Sequence, residues 1–205
     1  LEHGYFDTVY HEHLSYLALT PLVRLFGDVG LRAAAVERYP IGASGPALRL
    51  FARRDQASPA SDGSVAALLA EEADWGVTAR PAYDAFAARV AGLKTRIGGL
   101  VRELNDAGHR VGAFGAPAKG NTLLNYLGLG PDLIICAAEN NELKVGKVTP
   151  GAHIPIVDDA RFMELGITHA LLLAWNYLDF FLDRAEFIRR GGKFVVPLPH
   201  PEIRP

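Results

Sequence analysis

The sequence predicts an α/β fold with a mostly parallel sheet and helices on both faces, preceded by one helix and a pair of strands. Short, continuous apolar segments alternate with helical segments in the C-terminal two thirds, as parallel strands buried on both faces require. Apolar residues make up 49% of the 205 residues and charged residues 21%, which excludes a disordered chain. Because the net charge is −2, composition gives no indication of nucleic-acid binding.

The N-terminal elements are a helix and two strands. Thr20 and Pro21 predict a helix N-cap followed by proline at the first helical position, and the helix should end near Gly27. Two antiparallel strands joined by a long turn should follow, and after them a linker rich in Ala, Ser and Asp. The strands are expected at 31–39 and 47–54, with the turn at 40–46 between them. The linker covers 55–63.

Two helices, at 65–75 and 81–107, open the C-terminal part, although the glycine pair at 98–99 argues against an unbroken second helix. Strands are then predicted at 110–114, 133–137, 154–157, 169–174 and 193–197, with helices at 119–127, 158–165 and 178–190. This alternation is typical of a Rossmann-like domain. We therefore expect a remnant of another domain at 1–54, the linker at 55–63, and a Rossmann-like domain at 64–205.

The densest cluster of acid–base side chains is Tyr10, His11, Glu12 and His13, with Tyr16 close by. One interpretation is acid–base catalysis, in which a histidine takes a proton and a carboxylate or phenol orients it. A second is a metal site with His11 and His13 as ligands, for which the sequence offers no clear third ligand. A third is a polar loop whose histidines face solvent.

A glycine-containing turn at 112–122 follows the strand at 110–114 and opens a helix, where backbone amides favour an anion. Phe114 occupies the second glycine position of a dinucleotide-binding fingerprint that starts at Gly112. Lys119 precedes Gly120, which is the reverse of the order in a Walker loop. Neither nicotinamide binding nor ATP hydrolysis is indicated, which leaves contact with a phosphate or sugar nucleotide, or a tight turn made for packing.

Polar side chains also follow the predicted strands at 133–137 and 169–174. Glu139, Asn140 and Asn141 lie after one, and Trp175 and Asn176 after the other. The carboxyl ends of parallel strands are where open α/β sheets bind ligands, and acidic residues there often hold hydroxyl groups. The alternative interpretation is a solvated loop at 139–141 and a tryptophan used for packing.

Four segments together resemble the C-terminal part of the S-adenosylmethionine-dependent sugar C-methyltransferases. The resemblance spans nearly the whole chain, is weakest from about 55 to 105, and includes a Tyr-x-Glu-His motif that ends at His13. Glu139 stands where the family pattern more often has Asp. The four segments are residues 6–16, 115–126, 150–156 and 173–177.

The resemblance implies an enzyme that methylates a carbon next to the ketone of a nucleotide-linked keto sugar through a base-formed enolate. It assigns catalytic roles to His13 as the base and to Tyr10 and Glu12. Substrate binding is expected from a second set of residues, Lys119, Gly120, Asn121 and Asn176. The resemblance also implies that residues 1–54 are the tail of a methyltransferase domain and that 64–205 form the substrate-binding domain. S-adenosylmethionine would be bound mostly outside this sequence, and zinc in a cysteine-rich N-terminal region that is also outside it.

Several expectations complete this hypothesis. The sequence begins at Leu1 without methionine, so we expect part of a longer protein that is inactive alone as a methyltransferase. A single cysteine excludes an internal disulfide and fits a cytoplasmic protein. No metal site, membrane span or nucleic-acid partner is expected, and the oligomeric state is left open. The alternative function is a Rossmann-like module that binds a nucleotide sugar or a partner without catalysis of its own.

Overall fold

A computed structural model describes residues 3–39, 47–54 and 62–205. The chain forms two compact units: one combines Leu1–Glu12 with Ala88–Pro205, and the other is His13–Ala87. The predicted turn at 40–46 and most of the predicted linker lie outside the described residues. The predicted division at 55–63 differs from these spatial units and stays a prediction.

The His13–Ala87 unit contains the predicted helix and antiparallel strand pair. Helix α1 (Leu19–Asp28) is followed by strands β1 (Arg32–Tyr39) and β2 (Ala47–Arg53), which pair antiparallel. Helix α2 (Ser64–Trp75) and the first residues of helix α3 (Arg80–Asp106) complete the unit. Its small core is made of four buried side chains, those of Leu19, Ala33, Val65 and Leu68.

The prediction that Thr20 caps α1 is wrong, because the N-cap residue is Ala18. A carboxylate from α2 takes the capping role instead. Glu72 accepts hydrogen bonds from the backbone N–H groups of Leu19 (2.6 Å) and Thr20 (2.7 Å), and from the Thr20 hydroxyl (2.6 Å). These bonds satisfy amides that a helix start leaves without intrahelical partners.

The larger unit is built on a six-stranded sheet with the order β5-β4-β3-β6-β7-β8. All neighbouring strands run parallel except β8, which pairs antiparallel with β7. The α/β prediction of a mostly parallel sheet flanked by helices is thereby confirmed. The strands are β3 (Val111–Phe114), β4 (Ala137–Ala138), β5 (Ile156–Val157), β6 (His169–Leu172), β7 (Lys193–Val196) and β8 (Glu202–Arg204).

The helices of this unit follow the predicted alternation. Helix α3 runs unbroken through its glycine pair, and its buried positions recur at spacings of three and four. The remaining helices are α4 (Ala118–Leu127), α5 (Asp159–Glu164), α6 (Leu178–Arg184) and α7 (Glu186–Arg189), with a 3-10 turn at Trp175–Tyr177. The core includes an aromatic cluster of Phe114, Phe162, Phe187 and Phe194.

Two predicted elements differ from the structure, and one observed strand was not predicted. The strand predicted at 133–137 is reduced to β4, because the amides of Leu133 and Ile134 bond to Gly130 in a turn. The single helix predicted at 178–190 is broken at Ala185, which has an extended backbone. Strand β8 had no apolar pattern to predict it, since its three residues are all exposed.

Candidate functional site

Strand β3 marks the point where the order in which strands are added to the sheet reverses. After β3 the chain adds β4 and β5 on one side, and it then returns to add β6 and β7 on the other. In open parallel sheets the crevice beyond the carboxyl ends of two such strands is the usual ligand position. Lys119, just beyond β3, and Asn176, just beyond β6, are brought together here, as the side chain of Lys119 donates a hydrogen bond to Oδ1 of Asn176.

The crevice also holds residues from the start of the chain. Nε1 of Trp175 donates a 2.7 Å hydrogen bond to Oδ2 of Asp7, whose side chain is fully buried. The Tyr5 ring lies 4.6 Å from the Trp175 ring, centroid to centroid, and Nζ of Lys119 lies 4.5 Å from the same Trp175 centroid. The result is a buried cluster, which we call the Asp7 cluster, made of Asp7, Lys119, Trp175 and Asn176.

Charges in the Asp7 cluster are strongly affected by burial. Burial raises the pKa of Asp7, and this is opposed by the hydrogen bond from Trp175 and the charge of Lys119. Burial lowers the pKa of Lys119, and this is opposed by the charge of Asp7. Each group therefore favours the charged form of the other, because an unpaired buried charge is costly.

Two further predicted substrate-binding residues lie at the start of α4. A Cβ added to Gly120 would lie 2.8 Å from Cβ of Leu173, so the absence of a side chain allows α4 to approach the end of β6. Oδ1 of Asn121 is buried, and among the described residues it has no hydrogen-bond partner. Close packing thus explains the glycine at position 120. The side-chain oxygen of Asn121, in contrast, is a hydrogen-bond acceptor without a partner among the described residues.

The Glu139 carboxylate is held by hydrogen bonds and by an ion pair. Its carboxylate accepts hydrogen bonds from the amides of Ala116 (3.2 Å) and Asn140 (3.0 Å), and forms a 3.1 Å ion pair with Lys144. Burial alone would raise the pKa of Glu139, but the bonds from Lys144 and Asn141 lower it overall. This carboxylate therefore joins the loops that follow β3 and β4.

The predicted catalytic residues divide between the two units. Tyr10 and Glu12 belong to the larger unit and His13 to the smaller one. The Tyr10 ring lies 6.4 Å from that of His11, and the His13 ring lies 6.2 Å from that of Tyr16. Glu12 is exposed and His13 is half-buried.

Comparisons with known proteins show the family of this chain. The sequence pattern of the C-methyltransferase C-terminal domain matches residues 42–199. This chain belongs to that family. It is also 37% identical to the C-methyltransferase NovU of Streptomyces niveus over 204 residues, which is 99% of this chain and 48% of that protein. The chain thus spans about half the length of the curated relative it matches, and the predicted family resemblance is confirmed.

A C-methyltransferase implies S-adenosylmethionine as methyl donor, and the turn between β3 and α4 is where this sheet would present a glycine loop to it. A Cβ at Gly112 would lie 2.7 Å from the Phe162 ring, so that glycine serves packing. The crevice beside the turn is filled by Tyr5, Asp7 and Trp175. These residues do not fit the methyl donor.

Within 3–39, 47–54 and 62–205, no group of three or more His, Cys, Asp or Glu side chains could hold a metal ion. None of the helices in the described part of the chain is long and apolar enough to cross a membrane.

Sequence reasoning missed the role of Asp7 in this C-methyltransferase domain and treated Trp175 mainly as a packing residue. The available signal was local: an acidic residue directly after the aromatic pair Tyr5 and Phe6, three positions before Tyr10. Its partner Trp175 lies 168 residues away, so no local pattern could connect the two.

Proposed function

We propose that this chain is the C-terminal part of an S-adenosylmethionine-dependent C-methyltransferase. Its substrate would be a nucleotide-linked keto sugar, methylated at a carbon next to the ketone. The observation that carries the proposal is the 37% identity to a C-methyltransferase over 99% of the chain. The Tyr10–His13 cluster supports it, because it supplies the acid–base groups that such a reaction needs.

His13 is the proposed base. A hydrogen on a carbon next to a ketone is weakly acidic, and a neutral imidazole is suited to remove it near neutral pH. The electron pair of the broken C–H bond then delocalises onto the ketone oxygen, and the carbon becomes nucleophilic. The proton resides on the His13 imidazole after this step.

Tyr10 and Glu12 have supporting roles in the proposal. The Tyr10 hydroxyl would donate a hydrogen bond to the ketone oxygen as negative charge develops there. The Glu12 carboxylate would accept a hydrogen bond from the other imidazole nitrogen of His13 and thereby select its tautomer. The exposure of Glu12 leaves its carboxylate accessible for such a contact.

Substrate binding was predicted for Lys119, Gly120, Asn121 and Asn176. Lys119 and Asn176 already bond to each other, and Gly120 packs against Leu173. Asn121 has a buried side-chain oxygen without a partner among the described residues, so we place the substrate-binding proposal on Asn121. An amide at this position could bond to a sugar hydroxyl or to the nucleotide.

The test uses the full-length enzyme with a nucleotide-linked keto sugar in deuterium oxide. Incorporation of deuterium next to the ketone without methyl donor, and transfer of a labelled methyl group when S-adenosylmethionine is added, are the expected results. Binding of the sugar nucleotide with neither exchange nor transfer would contradict the proposal and favour the binding-module alternative.

A further inference from the structure

The ligand crevice of the six-stranded sheet is occupied by the chain itself. Lys119 follows β3 and Trp175 follows β6, so both line the crevice at the point where strand order reverses. This is the position at which open α/β sheets usually bind a separate ligand. Here Trp175 instead contacts Tyr5 through its ring and Asp7 through its indole N–H.

Neighbouring residues hold the same N-terminal segment in place. Phe6 is buried, and its ring lies 4.8 Å from that of Tyr126 in α4. Gly4 has a φ of +72°, and a Cβ there would lie 3.0 Å from Cδ1 of Leu93 in α3. The four consecutive residues at 4–7 therefore pack against α3, α4 and the end of β6, and Asp7 is the acidic residue among them.

Short backbone bonds connect Asp7 to the proposed catalytic residues. The amide of Val9 donates to the carbonyl of Phe6 (2.9 Å), and the amide of Tyr10 donates to the carbonyl of Thr8 (3.0 Å). These turns fix the path of the chain from the buried Asp7 to Tyr10, three residues later. A displacement of Asp7 would thus move the backbone that carries Tyr10 and Glu12.

We infer that Asp7, bonded to Trp175 and facing Lys119 in the crevice, is a positioning residue that holds the Tyr10–Glu12 backbone in its catalytic arrangement. The inference rests on the proposed function. It assigns the crevice residues Lys119 and Trp175 to an internal docking site for the N-terminal segment. As a positioning residue, Asp7 would act through this backbone and not through contact with the substrate.

The test compares Asp7→Ala, Trp175→Phe and the double variant in the full-length enzyme. Each single variant should lower kcat for deuterium exchange into the keto sugar on the order of 10- to 100-fold, because small misplacements of reacting groups are costly. The KM for the keto sugar should stay within about threefold, since no substrate contact is removed. Because both changes remove one shared bond, the double variant should lose much less than the product of the two single losses.

Amide hydrogen exchange supplies a readout that does not depend on activity. In Asp7→Ala the Tyr10 amide should exchange faster, while the Ala113 amide in β3 should be unchanged. Ile134→Val is the control, because it removes one methylene from a fully buried side chain outside the site. It should lower the free energy of unfolding and leave kcat for exchange unchanged.

The outcomes separate this inference from the proposed function. A parent enzyme without deuterium exchange overturns the proposed function, whereas the Tyr10 amide still reports whether Asp7 holds the segment. Variants that keep the parental kcat and the parental Tyr10 amide rate overturn the positioning role. A large rise in KM at constant kcat overturns it as well, since the Asp7 cluster would then bind substrate.

Discussion

Gly120 in α4 lies so close to Leu173, the residue after β6, that a Cβ on Gly120 would be 2.8 Å from Cβ of Leu173. Real Cβ atoms essentially never approach that closely, and the Cβ of Leu173 is held by its backbone. The glycine therefore sets the separation between α4 and β6, and with it the width of the crevice that contains the Asp7 cluster.

Replacing Gly120 should consequently affect stability. Gly120→Ala is expected to reduce the free energy of unfolding by about 1–3 kcal/mol, the usual effect of overpacking a close contact. Urea denaturation measures it. Gly99→Ala in α3 is the matched control, because a Cβ there meets no described atom within 4 Å. Helix propensity alone should stabilise that variant by up to about 1 kcal/mol. Equal stability of the two variants would argue against the packing role.

Glu72 provides a second test of packing. Its carboxylate accepts three hydrogen bonds from Leu19 and Thr20 at the start of α1. Glu72→Ala should therefore cost about 1–2 kcal/mol in the free energy of unfolding, similar to the loss of a helix N-cap. Glu71→Ala is the control, since Glu71 pairs with Arg38 on the surface and such pairs contribute little. If both variants lose the same amount, Glu72 is not the cap of α1.

The fold was largely predictable because buried parallel strands are continuously apolar. Strand β6 has four buried residues in succession, and helix α3 buries residues at helical spacing. The failures have physical causes. Two amides of the predicted strand at 133–137 are used in a turn, and the cap of α1 comes from Glu72, far along the sequence.

The site was predictable only where topology brings strand ends together. Lys119 and Asn176 each follow a parallel strand, and the structure places them in contact. The burial of Asp7 was not predictable, because an acidic residue is usually exposed. Its partner Trp175 is an aromatic residue whose ring alone would explain its burial.

His169 should make stability depend on pH. Burial lowers the pKa of this histidine, and nearby His109 and Lys193 act in the same direction. The unfolded chain therefore binds the proton more readily than the folded chain, so stability falls as the pH drops below about 6.5. Below the folded-state pKa this loss is complete, and above about pH 7 it is absent.

Urea denaturation between pH 7.5 and 5 measures this loss. His169→Gln should show a smaller decrease in the free energy of unfolding over that range than the parent. His200→Gln, at an exposed histidine, should follow the parent. A pH profile of His169→Gln that coincides with the parental profile would show that His169 is not responsible.

Cys136 should react with thiol reagents only after local opening. Its side chain is buried, and burial raises the pKa of the thiol to about 11. At pH 8 the thiolate fraction is then about one in a thousand, and only the thiolate attacks. Labelling by a chromogenic disulfide should be slow in native buffer and should reach one equivalent in denaturant. Rapid, complete labelling in native buffer would contradict the buried position of Cys136.

The decisive functional prediction concerns His13 and His11, which are both basic and lie two residues apart. His13 is the proposed base because the family resemblance includes a Tyr-x-Glu-His motif that ends at this residue. In the full-length enzyme, His13→Asn should lower the rate of deuterium exchange by about two to four orders of magnitude, the usual contribution of a general base. Its affinity for S-adenosylmethionine should be nearly unchanged, because proton removal is separate from binding of the methyl donor. His11→Asn is the matched control and should lose far less. If His13→Asn exchanges the proton as fast as the parent while His11→Asn does not, the base is His11.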